Sequence, residues 1–141
     1  MNSTLGAVVA LAAWSLVVLL IMAVRRFGAM KQKGISLAGR RGGRGGELDP
    51  VIGDGPAWAS HNYTHLMEQP TLFYAVALAL AAMGAGGGWS AGLAWVYVGL
   101  RVVHSLVQIT SNVITARATL FFVSTGVLIA MVAHAGIVLA G

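Results

Sequence analysis

The chain has 141 residues, of which 57% are hydrophobic and only 9% are charged. A soluble domain normally has about a quarter of its residues charged, so this composition excludes an ordinary soluble domain and predicts a membrane protein. The chain has no cysteine, which excludes disulfides, thiolate metal sites and a cysteine nucleophile. The net charge of +5 comes from one segment, because seven of the nine basic residues lie between positions 25 and 44. This distribution indicates a basic loop rather than a nucleic-acid-binding face.

The first predicted element is a membrane-spanning helix over residues 4–24, which contain no charged residue. About 20 such residues are needed to cross the hydrocarbon core of a bilayer. A cleaved signal peptide is disfavoured, because basic residues precede the apolar run of a signal peptide and here they follow it. Arg25 and Arg26 are predicted to end the helix on the cytoplasmic side, which places the N-terminus outside.

Residues 25–57 are predicted to form a cytoplasmic loop, because they are rich in glycine, first basic and then acidic, and contain two prolines. The tract "GRRGGRGG" (39–46) has two interpretations. Its arginines are suited to attraction by anionic lipid headgroups. They are also typical of a solvated loop that only sets the topology of the chain.

Three further spans are predicted, over about 58–84, 91–113 and 118–140. Four spans place both termini outside the cytoplasm and the basic loop inside it, in agreement with the positive-inside rule. The expected fold is all-α: a single membrane domain over residues 1–141, folded as a four-helix bundle.

The second predicted span begins with polar residues. His61, His65 and Glu68 follow one another at i, i+4 and i+7 and therefore share one helix face. A carboxylate three turns into a membrane helix is costly if it faces lipid, so this face is expected to point inwards. Pro70 lacks a backbone N–H and is predicted to kink the helix, which leaves the carbonyl of Leu66 in need of another partner.

The third predicted span has a stripe of polar residues at intervals of three or four. The stripe consists of Tyr97, Arg101, His104, Gln108 and Asn112. A bundle would turn both stripes inwards, and an ion pair between Arg101 and Glu68 is predicted because it buries both charges together. Such a pair can serve only to hold the bundle in register. The crowding of polar residues towards one end, with Arg117 close by, indicates in addition a pocket open to the cytosol.

Two blocks of sequence are similar to one known family. Asn62 followed by "LMEQPTLFYA" (66–75), and "LAWVYVGLRVVHS" (93–105), resemble the bacterial branch of the MAPEG superfamily, the membrane-associated proteins in eicosanoid and glutathione metabolism. The resemblance covers essentially the whole chain. It implies a homotrimer of four-helix subunits in the bacterial inner (cell) membrane, with glutathione bound between subunits near the cytosolic face.

The resemblance also implies roles for individual residues. Arg117, sixteen residues after Arg101, matches the arginine that stabilises the glutathione thiolate and is therefore the expected catalytic residue. His104 and Glu68 match family residues of the glutathione site. Three positions depart from the family pattern: His65 replaces an asparagine, His61 an arginine and Gln108 a tyrosine. Losing an arginine removes a bidentate clamp for a carboxylate of glutathione.

Three hypotheses for function remain open. The first is a glutathione-dependent transferase or peroxidase that acts on lipophilic electrophiles arriving from the bilayer. Its expected ligand-binding residues are Glu68, His65, His61, Arg101, His104 and Gln108. The second is a non-catalytic protein of the same fold that binds a lipid or another amphiphile. The third is a metal site formed by His61, His65 and Glu68. The expected partners are the bilayer, two further copies of the chain and a lipophilic small molecule, without nucleic acid.

Overall fold

The computed structural model describes residues 3–141, and this part of the chain is mainly helical, without a strand. A 3-10 helix spans Gly45–Leu48. The α-helices are α1 Thr4–Gln32, α2 Asp49–Ile52, α3 Asp54–Met67, α4 Pro70–Ala82, α5 Gly88–Ile109 and α6 Ile114–Ala140. The predicted domain of residues 1–141 is thus described from Ser3 onwards. The predicted outer position of the N-terminus lies outside the described residues.

Three helices, α1, α5 and α6, are long and apolar enough to cross a membrane. The prediction that Arg25 and Arg26 end the first helix was wrong, because α1 continues to Gln32. Arginine and lysine are good helix formers, so charge alone does not stop a helix once it has left the hydrocarbon. At 1.5 Å per residue α1 is about 43 Å long, against about 30 Å of hydrocarbon, so its basic end extends beyond the membrane core.

The second apolar segment is divided between two helices, α3 and α4. The kink predicted at Pro70 is a complete break: Glu68 leaves the helical conformation with φ −88° and ψ −98°. Pro70 then occupies the first position of α4, where its missing N–H costs nothing. Helix α3 also begins earlier than the predicted span, at Asp54 rather than near residue 58.

Hydrogen bonds at the two ends of the fold show the direction of its helices. At one end the Thr4 N–H donates to the carbonyl of Gly86, which joins the start of α1 to the turn between α4 and α5 (2.8 Å). At the other end Arg25 Nη1 donates to the carbonyl of Ile109, which joins the basic end of α1 to the last turn of α5 (2.9 Å). Helices α1 and α5 therefore run in the same direction, and α3 with α4 returns between them.

The predicted loop of residues 25–57 contains more structure than expected. The end of α1, the 3-10 helix and α2 enclose a small apolar cluster built on Ala29, Met30 and Ile52. Lys33 Nζ donates to the carbonyl of Val51 and closes the segment against α2. Burial of three apolar side chains gives this part of the chain a core of its own.

The main core lies between α1, α3, α4 and α5, and α6 packs against α5 and α4. It contains the ring pair Phe73 and Tyr97, stacked with centroids 4.6 Å apart. Fully buried alanines such as Ala7 and Ala77 let the helix backbones approach closely, as association in lipid requires. Helix α6 buries Ser124, Leu128 and Met131, and most of its apolar side chains face outwards.

Candidate functional site

The inward face of α5 bears the polar stripe predicted from its spacing. Tyr97, Arg101, His104 and Gln108 are all buried, with exposures between 0% and 4%. Asn112 does not belong to this face, because α5 ends at Ile109 and Asn112 adopts the left-handed conformation with φ 52° in the connection to α6. About three turns of one helix thus place a guanidinium, an imidazole and an amide inside the protein.

The buried guanidinium of Arg101 contacts a backbone carbonyl rather than Glu68. Arg101 Nη2 donates to the carbonyl of His65 (2.8 Å). The Glu68 carboxylate lies 3.4 Å from His65 Nδ1 and is 62% exposed. The predicted Arg101–Glu68 ion pair is therefore not formed among residues 3–141. The helix break explains the difference, because it leaves the last carbonyls of α3 without helical donors and Arg101 satisfies one of them.

A cavity of about 250 Å³ lies next to His65, between the end of α3, α5 and α6. The His65 and His104 rings lie edge to face with centroids 5.9 Å apart. Arg117, at the start of α6, lines the same cavity and donates through Nη1 to Asn112 Oδ1. The other lining residues are apolar: Ile114, Ala118, Phe121 and Phe122. The cavity therefore combines a polar, cationic inner end with an apolar mouth.

The guanidinium groups of Arg101 and Arg117 include donors without a hydrogen-bond partner among the described residues. Arg101 Nε and Nη1, and Arg117 Nε, are buried and have no hydrogen-bond partner in the described part of the chain. Unsatisfied charged donors are costly in a buried site, and an anion is the ligand that satisfies them best. Of these donors only Arg117 belongs to the cavity lining, where its charge would suit an anionic group such as the thiolate or a carboxylate of glutathione. A second clamp for its other carboxylate is not formed by the residues lining this cavity.

His61, predicted to share a site with His65 and Glu68, belongs to a different cluster. Its Nε2 lies 2.9 Å from Asp49 Oδ2, and Arg26 Nη2 lies 3.6 Å from the other oxygen of Asp49. His61 thus ties α3 to α2 and is absent from the cavity lining. Over residues 3–141, no group of three or more His, Asp or Glu side chains is arranged to hold a metal ion.

Gln108 is buried on the face of α5 that bears His104, one turn further on. It does not line the cavity, and its Oε1 is without a partner among the described residues. Of the seven predicted site residues, the structure therefore places His65, His104 and Arg117 at the cavity. Arg101 contacts the backbone carbonyl of His65, and Glu68 contacts its imidazole. Gln108 is buried one turn after His104, and His61 belongs to the Asp49 cluster.

Buried polar contacts add residues that were not predicted as site members. Asn62 Nδ2 donates to Ser105 Oγ (2.6 Å), which joins the two blocks of sequence that resemble the MAPEG superfamily. Gln69 accepts from the Tyr97 hydroxyl (3.3 Å) and donates to Thr125 Oγ1 (2.7 Å), which links α4, α5 and α6. The available signal was the presence of an amide side chain in an apolar helix, which is costly unless it has partners.

These features define the class of the protein: an integral membrane protein of apolar helices with a buried cationic site at one end. A family model then gives the more specific result. The MAPEG family model matches residues 4–137, nearly the whole chain, and the chain belongs to this family. Searches of curated proteins and of solved structures give no significant match.

Proposed function

We propose that the protein is a glutathione-dependent transferase or peroxidase acting on lipophilic electrophiles. The observation that carries the proposal is Arg117 in the cavity wall, with its Nε buried and unpartnered. Arg101 lies behind the wall at the carbonyl of His65, and its Nε and Nη1 are likewise buried without a partner in the described part of the chain. Two cationic groups without a buried carboxylate partner favour an anionic ligand. Glutathione would supply a thiolate, which is the nucleophilic form of a thiol.

The residues of the cavity have separate tasks in this proposal. Arg117 lies in the wall and lowers the cost of a negative sulfur by its positive charge. Arg101, held by the carbonyl of His65, contributes positive charge from deeper in the protein. His65, paired with the exposed Glu68, is placed to accept the proton that a bound thiol releases. Phe121 and Phe122 supply an apolar surface for an acceptor that enters from the bilayer.

The proposal includes the setting of the site. The α3–α4 segment crosses the membrane as the second of four spans in a helical bundle, and three copies of the chain form a homotrimer in the bacterial cell membrane. The basic end of α1 then lies in the cytoplasm and both termini lie outside. The apolar outward faces of α6 support an assembly in which further copies or lipid cover them. A neighbouring copy is the natural source of the missing second carboxylate clamp.

The first test is calorimetric titration of glutathione into detergent-purified protein. We expect binding in the wild type and a loss of affinity of about tenfold to a hundredfold in Arg117→Ala, since a hydrogen bond to a charged group contributes about 1.5–3 kcal/mol. A thiolate band in the ultraviolet spectrum of the complex at neutral pH should also weaken in this variant.

Arg41→Ala is the matched control, because it removes one positive charge from the exposed loop and leaves the cavity unchanged. Its affinity for glutathione should equal that of the wild type. Absence of binding at millimolar glutathione, in protein shown to be folded, would overturn the proposal. So would an equal loss of affinity in both variants.

A second candidate is a non-catalytic protein that binds another anionic amphiphile in the same cavity. The position of His61 supports it, because the contact with Asp49 engages the side chain that replaces the family's arginine. A separate cavity of about 690 Å³ between α4 and α6, lined mainly by apolar residues, would also suit a lipid chain. Copurified lipid whose amount falls in Arg117→Ala, without any glutathione binding, would favour this candidate.

A further inference from the structure

A second cavity, of about 480 Å³, lies in the segment between α1 and α2, away from the arginine–histidine site. Its lining includes Arg26, Arg40 and Arg44 against a single carboxylate, that of Glu47. Arg26 is engaged, through Nη1 with Ser60 (3.1 Å) and through Nη2 with Asp49 (3.6 Å). The side chains of Arg40 and Arg44 form no ion pair in the described part of the chain. Two exposed cations therefore lie at the rim with their donors free.

The opposite part of the lining is apolar and partly open to the surroundings. Phe27 is 62% exposed, Leu37 49% and Val51 48%. Phe27 lies on α1 one residue after Arg26, where the helix leaves the hydrocarbon. At this depth the acyl chains of a membrane meet the headgroups. An apolar surface can contact the acyl chains there, and a neighbouring cationic surface can contact the anionic headgroups.

We propose that this cavity, lined by Arg26, Arg40, Arg44, Phe27, Leu37 and Val51, binds an anionic phospholipid of the leaflet that faces the basic segment. Arg40 and Arg44 contact the headgroup phosphate, and the three apolar side chains contact the first carbons of the acyl chains. A loop that is only solvated does not require apolar side chains next to its arginines. A soluble anion would not contact the apolar side chains either. The cationic and apolar parts of the lining together therefore favour an amphiphile.

The test is native mass spectrometry of the full-length protein in detergent, titrated with dioleoyl-phosphatidylglycerol and, separately, with dioleoyl-phosphatidylcholine. The variants are Arg40→Ala/Arg44→Ala and, as matched control, Arg41→Ala. Arg41 lies between the two on the same exposed tract and is absent from the cavity lining. An arginine near an anionic surface contributes about fivefold to binding, so the double variant should bind phosphatidylglycerol about 25-fold more weakly.

The control should change the affinity by less than about twofold, and neither variant should alter phosphatidylcholine binding. Equal effects per charge at positions 40, 41 and 44 would overturn the proposal in favour of unspecific attraction to a basic loop. Displacement of the lipid by millimolar inorganic phosphate would also overturn it, because the cavity would then be a site for a soluble anion. Thermal unfolding of each variant verifies that the protein remains folded, and the glutathione titration is independent of every result.

Discussion

Arg101 shows how far a single residue can be interpreted before the backbone around it is known. Its burial and its inward direction were predictable, because a charged side chain in a membrane helix is costly unless it faces the interior. Its partner was not predictable. The acceptor is the carbonyl of His65, which is free only because the helix ends at the next turn. Side-chain spacing indicates which faces meet, whereas it does not show which backbone groups a break releases.

Gly86 provides a test of close packing at one position. A Cβ at this residue would lie 2.8 Å from Thr4 Oγ1 and 3.0 Å from Ala81 Cα. Thr4 is fully buried and cannot move away freely. We therefore expect Gly86→Ala to reduce the free energy of unfolding by about 1–3 kcal/mol, measured by thermal or denaturant unfolding in detergent.

Gly92→Ala is the control for this change. Gly92 lies in α5, and a Cβ there has no atom within 4 Å. Alanine is the better helix former by about 1 kcal/mol, so this variant should be as stable as the wild type or slightly more so. Equal destabilisation by both substitutions would contradict the steric conflict that we predict for a Cβ at Gly86.

The helices follow their hydrophobic pattern closely in type and less closely in extent. Apolar runs located α1, α5 and α6, since length and a low number of charged residues are sufficient to indicate a span. Helix α1 extends beyond its predicted end because its basic residues have polar partners there. Arg25 donates to the carbonyl of Ile109, and Arg26 donates to Ser60. The division of the second segment follows from Pro70, and its completeness depends on the conformation of Glu68, which the sequence pattern does not specify.

Gln69 lies at this division and connects three helices through its two hydrogen bonds. We expect Tyr97→Phe to cost about 0.6–1.7 kcal/mol in the wild type, because it removes a buried bond within a membrane protein. In a Gln69→Leu background the same change should cost nothing, because the acceptor is already gone. The measurement is a double-mutant cycle of unfolding free energies in detergent.

Tyr63→Phe serves as the comparison within this cycle, because it removes a hydroxyl outside the Gln69 network. It should have the same effect in both backgrounds. A Tyr97→Phe cost that is unchanged by Gln69→Leu would show that the two side chains are not coupled, and the observed 3.3 Å contact would then carry no energy.

The path of the chain across the membrane can be tested with single cysteines, because the sequence contains none of its own. Ser36 and Gly87 are both exposed and lie in connections at opposite ends of the fold. We expect Ser36→Cys to react with a membrane-impermeant maleimide only from the cytoplasmic side, and Gly87→Cys only from the outside. Labelling in spheroplasts and in inverted vesicles distinguishes the two.

Thr110→Cys, in the exposed connection after α5, should react from the same side as Ser36→Cys. This third position tests the return of α5. Reaction of Gly87→Cys and Ser36→Cys from one side would contradict the proposed crossing by α3 and α4. The protein would then have three spans, and its ends would lie on opposite sides of the membrane.

The bond from Arg25 to the last turn of α5 affects how the orientation of this chain can be engineered. A cation at the carbonyl end of a helix also opposes the negative end of the helix dipole, so the contact is favourable twice. The same arginine belongs to the basic group that we predict to direct insertion. Charge substitutions designed to invert a membrane protein consider only the effect of such residues on its orientation. In this chain, substituting Arg25 would also remove the hydrogen bond that joins α1 to α5. A variant with inverted orientation would therefore need another contact between these helices before its activity could be compared with that of the original.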